Sequence, residues 1–142
     1  MNDINKQFDY EVVSPDKKFI EDKAYQIVVP ADEGDFGVLI DHSAVVSSLR
    51  AGVVSIYQDQ DTDIPQKIFV TGGFVDVTST NCKILADNVI NLEDMDQSEI
   101  EKEIQNLVED LGLAEGEHDI AKVEAKLALE KAKLSAVTGK YI

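Results

Sequence analysis

The chain has 142 residues, a formal charge of −15 and a hydrophobic content of 44%. That supplies apolar material for one ordinary domain, or for a small domain with an appendage. Its acids are spread along the whole chain. Such a surface repels phosphate backbones and anionic lipid, which argues against nucleic-acid binding and direct lipid insertion and favours a basic partner surface. Arg50 is the only arginine, so a bidentate clamp on phosphate has a single candidate. Cys82 is the only cysteine, which excludes an internal disulfide and a thiolate metal cluster. It alternates with Ile84 and Ala86 and reads as a small buried hydrophobe. Met1-Asn-Asp-Ile-Asn-Lys6 has the form of neither a signal nor a transit peptide, and no stretch approaches the length of a membrane span. The expectation is a protein that works in the compartment where it is made.

Phe8, Tyr10 and Val12 alternate with Asp9, Glu11 and Val13, the pattern of a strand with one buried face. Ser14-Pro15-Asp16 ends it. Tyr25, Ile27 and Val29 repeat the pattern, with Val28 on the opposite face, until Pro30-Ala-Asp-Glu-Gly stops the run. Val38-Leu39-Ile40 and Val45-Val46 are short apolar pieces. Gly52 opens a further strand with Val53 and Tyr57 on one face and Val54 and Ile56 crowding it. Asp59-Gln-Asp-Thr-Asp63 is a polar turn. Lys67–Val70, Gly72-Gly73 and Phe74–Val77 read as a tight hairpin, because paired glycines tolerate the positive φ of such turns. Thr78-Ser-Thr-Asn81 turns the chain again into Lys83–Ala86. Many short strands without a helix-period segment argue for an antiparallel sandwich or barrel.

The period changes after Leu92. Asp96-Gln-Ser-Glu99 forms a capping-box start, flanked by Met95 and Ile100 as a hydrophobic staple. Ile100, Ile104, Leu107, Val108 and Leu111 follow helical spacing, and Gly112 is placed to end that helix. After Glu115-Gly-Glu-His118, a second helix runs from about Asp119 through Ile120, Val123, Leu127 and Leu134 to Gly139. An alanine row, Ala121, Ala125, Ala128 and Ala132, lies beside it. Small side chains let helix axes approach, so the expectation is an antiparallel helical hairpin with its alanines facing a helix or the sheet. The domain boundaries are residues 1–90 for the β-sandwich and 91–142 for the hairpin. The hairpin lacks a full core, and its apolar rows need a second surface, either the β domain or another protein. Exchange between those surfaces is physically cheap for such an element.

Glu33-Gly-Asp-Phe-Gly-Val-Leu-Ile-Asp-His42 holds glycines, acids and one of the two histidines together. A catalytic reading needs His42 beside Asp35 or Asp41 as acid and base, with Ser43 as nucleophile. The chain offers no Gly-x-Ser-x-Gly elbow, His-x-x-x-His pair or Walker loop to complete such a site. Asp32, Glu33, Asp35 and Asp41 lack the alternate spacing and closing glutamate of a calcium loop, and the acids Asp59, Asp61 and Asp63 lack that glutamate as well. His118 falls in a charged connection between helices. A structural or contact role outranks catalysis for all these groups.

Several segments carry a resemblance. Val13-Ser-Pro15, Val28-Val-Pro30, Glu33-Gly-Asp-Phe-Gly-Val-Leu39, His42, Leu49-Arg-Ala-Gly-Val53 and Phe69-Val-Thr-Gly-Gly-Phe74 resemble, in order and spacing, the epsilon subunit of bacterial F-type ATP synthases, the counterpart of mitochondrial delta. The resemblance spans nearly the whole chain and is most specific at Glu33–His42 and at the Gly-Gly-Phe segment. It implies about ten strands in an antiparallel β-sandwich followed by a two-helix hairpin. It also implies a non-catalytic rotor subunit that couples proton flow to ATP synthesis, binding the gamma subunit and resting on the c-subunit ring. The expected location is peripheral, at the cytoplasmic face of the bacterial inner membrane. By that match Glu33, Asp35 and His42 meet polar, basic loops of the ring, and charge reversal at Asp35 loosens coupling.

Some relatives bind ATP through an Ile/Leu-Asp-x-x-Arg-Ala motif at the start of the first C-terminal helix. Here the matching residues are Met95, Asp96, Glu99 and Ile100, with Glu99 in place of the arginine. A carboxylate at that position repels a phosphate, so no cofactor is expected. The family's hairpin also reaches the alpha/beta catalytic head and restrains hydrolysis with basic side chains. This segment holds 13 acids and 6 lysines from Asn91 onward, which predicts weak restraint by that route. Two other readings stay open from the residues alone: a free-standing ligand-binding or regulatory β-domain with a helical arm, and a hydrolase built on His42.

Overall fold

The computed structural model describes residues 6–61 and 64–139; Met1–Asn5 and Asp63 of the acidic turn lie outside the described residues. Ten strands come first: β1 Phe8–Val13, β2 Lys18–Ala24, β3 Gln26–Ala31, β4 Gly34–Leu39, β5 Val45–Leu49, β6 Gly52–Tyr57, β7 Gln66–Val70, β8 Gly73–Val77, β9 Asn81–Ala86 and β10 Val89–Asn91. Helices α1 Gln97–Leu113 and α2 Glu117–Thr138 follow a short turn of 3-10 helix at Leu92–Asp94. The chain divides into two units at Asn91 and Leu92.

The first unit is a sandwich. β10-β7-β6-β3 with β4 form one five-stranded layer, and β5-β8-β9-β1-β2 form the other. A single pair, Ala31 opposite Leu49, joins the layers into one continuous sheet. Alternation explains which residues turn inward. Phe8, Tyr10 and Val12 are buried from β1, Ile27 and Val29 from β3, and Cys82, Ile84 and Ala86 from β9. These side chains share one core cluster. In β6 the buried pair is Val54 and Ile56, while Val53 and Tyr57 stay half-buried on the other face. Burial raises the Cys82 thiol to about 12, in keeping with a small hydrophobe.

The glycine pair does something other than turn a hairpin. β7 pairs with β6 and β10, and β8 pairs with β5 and β9. Gly72-Gly73 therefore carries the chain from one layer to the other. At Gly73 φ is +138°, and a Cβ there would lie 2.0 Å from the Leu85 carbonyl oxygen. The position needs glycine both for its backbone angle and for the close strand approach. The turn at Thr78–Asn81 does close a hairpin: the Thr78 amide donates to the Asn81 carbonyl at 2.8 Å, joining β8 to β9.

The second unit is the helical hairpin. Asp96 caps α1, its carboxylate accepting from the Ser98 amide at 2.9 Å and the Glu99 amide at 3.4 Å. The helix runs through Gly112 to Leu113, with Ala114 as its C-cap, so Gly112 lies inside it. α2 begins after Gly116, two residues before the expected start, and ends at Gly139 in the left-handed region. Ile100 and Leu107 of α1 and Leu127 of α2 are buried. The alanine row is placed differently from the expectation. Ala121, Ala125 and Ala128 are exposed and Ala132 is half-buried. The larger residues Ile120, Val123, Leu127 and Leu134 take the inward positions, because they remove more apolar area from water.

Candidate functional site

Gly34–Leu39 is strand β4, so Glu33–His42 is a hairpin arm with its following turn, and only its ends are loop. β3 and β4 pair from Gln26 opposite Leu39 to Ala31 opposite Gly34. Asp32 and Glu33 form the tip and are exposed. Gly34, with φ at +136°, lets the chain reverse there. Along β4, Phe36 and Val38 point to the core and Asp35 and Leu39 to the outside. Leu39 is 42% exposed and does not anchor the arm; Val38 and Phe36 do.

His42 is set by a turn. Its amide donates to the Leu39 carbonyl at 3.1 Å, and Asp41 takes φ +64° at the third turn position. The Asp41 amide donates to the Ser79 carbonyl at 2.7 Å, tying this turn to the β8–β9 connection. The imidazole stacks on Phe36 with ring centroids 6.0 Å apart. Its Nδ1 lies 2.7 Å from the Ser43 carbonyl, which can only accept, so Nδ1 carries the proton. Asp35 is bound elsewhere: its carboxylate accepts from Arg50 Nη2. The histidine thus has a ring and a backbone carbonyl as neighbours, and the acid has a guanidinium. Neither side chain is paired with the other, so they do not form an acid–base pair. Among the described residues no group of three or more His, Cys, Asp and Glu is disposed to hold a metal ion.

Residue-by-residue reading missed a second surface. On the outer face of the β5-β8-β9-β1-β2 layer, one cross-strand row runs Ser48, Phe74, Leu85, Val13, Lys18. Phe74 is 53% exposed and Leu85 43%, and Val46 in the adjacent row is 68% exposed. An aromatic and two aliphatic side chains left open together on a sheet make an exposed apolar patch, the kind of surface that marks an interaction site. The adjacent row, Val46, Asp76, Lys83, Glu11, Glu21, is charged. Glu11 lies 3.3 Å from Lys18 and 3.4 Å from Lys83. The hydrogen bond from Lys18, seconded by Lys83, holds the Glu11 carboxyl below its ordinary range. The acidic tip borders this surface, since the Asp32 amide donates to the Ser48 carbonyl at 3.0 Å and Ser48 stands opposite Phe74. Alternation in Phe74-Val-Asp-Val77 carried the signal, an aromatic on the same face as Asp76, but only the strand register gathers it with Leu85 and Val46.

At the start of α1, Asp96 is occupied by its two amide bonds, and Glu99 and the neighbouring Gln97 and Ser98 are exposed. The first turn of that helix, Gln97-Ser98-Glu99-Ile100, holds no positively charged side chain.

Comparison with known proteins agrees with this layout. The family profile of the ATP synthase delta/epsilon chain β-sandwich domain matches residues 7–92. The ATP synthase epsilon chain of Rhodospirillum centenum is 34% identical over 134 residues, covering 92% of each chain. That of Maricaulis maris is 32% identical over 127 residues, covering 84% of this chain and 93% of the relative. Among solved structures, a chain of the Euglena gracilis mitochondrial ATP synthase OSCP/F1/c-ring assembly superposes with a TM-score of 0.82 at 19% identity, covering 96% of this chain and 84% of that one. A chain of the Tetrahymena thermophila mitochondrial ATP synthase central stalk and c-ring gives 0.68 at 13% identity, covering 92% and 96%. At those identities the two structures speak for the fold.

Proposed function

The chain belongs to the ATP synthase delta/epsilon chain family as an epsilon subunit, and from that premise we propose that it is the central-stalk element joining the gamma subunit to the c-subunit ring. It is a non-catalytic subunit, and its partners are other subunits of the ATP synthase. Its role is mechanical: it carries torque between the proton-driven ring and the catalytic head, so that proton flow is coupled to ATP synthesis. It sits peripherally, on the cytoplasmic face of the bacterial inner membrane. No helix among the described residues is long and apolar enough to cross a membrane.

The observation that carries this reading is the pairing of two different contact surfaces on one rigid sandwich. The open row at Phe74 and Leu85 suits a dry, shape-matched contact, and we assign it to gamma. The acidic tip with Glu33, together with His42 on its stacked turn, suits the polar loops of a c ring, where charge sets orientation and association rate more than affinity. The hairpin acts weakly on hydrolysis, because α1 exposes Glu99, Glu101, Glu103, Glu109 and Asp110 against the single cation Lys102. It binds ATP poorly for the same reason of sign at Glu99.

The test is reconstitution of membranes stripped of this subunit. Wild-type protein should restore ATP-driven proton pumping and copurify with gamma at near-unit stoichiometry. Phe74→Asp should abolish copurification while the folded spectrum is kept. Copurification unaffected by Phe74→Asp would overturn the assignment of that face. A truncation after Asn91 should leave both coupling and hydrolysis nearly unchanged; a marked rise in hydrolysis would show that the hairpin is a brake.

A further inference from the structure

Arg50 holds three points of the β3–β4 tip at once. Its Nη1 donates to the Ala31 carbonyl on β3 at 2.5 Å, and its Nη2 donates to Asp35 on β4. Its backbone amide donates to the Pro30 carbonyl at 2.9 Å. Pro30 stands opposite Asp35, and Ala31 opposite Gly34. One side chain, from the connection between β5 and β6, therefore crosses both arms of the hairpin at the last two pairs before the turn. The planar guanidinium can satisfy a carbonyl and a carboxylate together from fixed directions, which a lysine ammonium on a flexible stem does less well.

We infer that Arg50 is a positioning residue for the ring-facing tip, and that Asp35 acts through Arg50 and not by touching a partner. This deepens the proposed function and rests on it only for the identity of the partner. The chemistry is that of a brace. An exposed ion pair adds little to global stability, since water screens it. Local order is a different quantity. A two-residue tip of exposed Asp32 and Glu33 has no apolar anchor of its own, so beyond the Asp32 amide bond to the Ser48 carbonyl its orientation depends on what grips Ala31 and Asp35 behind it. Binding a flexible tip costs ordering free energy that a braced tip has already lost. Three positions that the sequence presents as separate features, the chain's only arginine, an acid in the Glu-Gly-Asp-Phe-Gly segment and the tip itself, form one unit.

The experiment compares wild type with Arg50→Ala, Arg50→Lys, Asp35→Asn and the double variant Arg50→Ala/Asp35→Asn, each as the full chain. Two quantities are read: amide exchange at Ala31–Gly34 in the isolated chain, and affinity for ATP synthase stripped of this subunit. Arg50→Ala and Asp35→Asn should each raise tip exchange and weaken binding by roughly two- to fivefold, the scale of an exposed pair. The double variant should be no worse than either single one, and Arg50→Lys should fall between wild type and Arg50→Ala. The inference is overturned if Asp35→Asn weakens binding well beyond Arg50→Ala and the two effects add, because Asp35 then meets the partner itself. Unchanged tip exchange in Arg50→Ala overturns it as well, whatever happens to the melting temperature. Wild-type protein that fails to bind the stripped complex would defeat the proposed function, while tip exchange in the isolated chain would still decide the role of Arg50.

Discussion

The two units of this chain solve the same problem with unequal means. The sandwich buries complete side chains from both layers, among them Tyr10, Ile27, Ile56, Ile68 and Ile84 at 2% exposure or less. Among the described residues the hairpin buries only Ile100, Leu107 and Leu127, and leaves Val108 and Leu113 open. A sheet with one face turned to a second sheet finishes its own core, whereas two helices in contact can cover one stripe each. The sandwich is thus built to stay in one form. The hairpin's stability depends heavily on a few contacts.

The largest effect that could sharpen this contrast is at the layer crossing. Gly73→Ala drives a Cβ into the Leu85 carbonyl and should cost about 3–5 kcal/mol or prevent folding, as read by urea denaturation. Gly139→Ala at the end of α2 meets nothing within 4 Å and carries only the left-handed penalty of about 1–2 kcal/mol. Next comes the hairpin's own core. Leu127→Ala should cost about 2–5 kcal/mol and melt the helices, visible as loss of the helical circular dichroism signal with the β-sheet amides still protected. Simultaneous loss of both signals would show that the two units unfold as one.

Alkaline pH separates the units in another way. Burial, with help from Asp22, raises the Tyr10 hydroxyl to about 12 from 10.0, and burial with Asp76 raises the Cys82 thiol to about 12 from 9.0. Both groups are neutral when protonated and hold their protons more tightly in the folded state. Their contribution is therefore intact below the unfolded values and is lost as pH rises through about 9 for Cys82 and 10 for Tyr10, towards 12. Each should steepen the loss by about 1.4 kcal/mol per pH unit in its window. Cys82→Ala should remove the earlier onset in a pH series of sandwich unfolding. Asp96→Ala should cost about 1 kcal/mol of α1 stability, through the lost cap, without altering sandwich unfolding. The smallest change is Ala125→Lys, expected within about 0.5 kcal/mol because the residue is exposed. A loss of several kcal/mol there would restore the close-approach role first expected of the alanine row.

Much of this was legible one residue at a time. Period-two alternation marks β1, β3 and β9, and the change to helical spacing after Leu92 marks the hairpin. The Asp96 cap follows from a local bond between a carboxylate and amides two and three residues on. β2 was not legible: Lys-Phe-Ile-Glu-Asp-Lys-Ala is an edge strand whose exposure leaves charges at most positions. The Glu33–His42 segment stands out in the sequence for its acids, glycines and histidine, but nothing in it marks Gly34–Leu39 as a strand paired with Gln26–Ala31. The site's own wiring was hidden for a plainer reason, since Asp35 and Arg50 are fifteen residues apart and meet only through strand pairing.

The sequence by itself determined the division into a β part and a helical part, because alternation and helical spacing are local consequences of backbone geometry. It also determined the acidity of the surface and the capped start of α1. Tertiary structure decided that Gly72-Gly73 crosses between layers, that the alanines face outward, and that Phe74, Leu85 and Val46 gather beside an acidic tip braced by Arg50. Those outcomes depend on register and on which of two apolar rows removes more area from water, and both are settled only when distant segments pack.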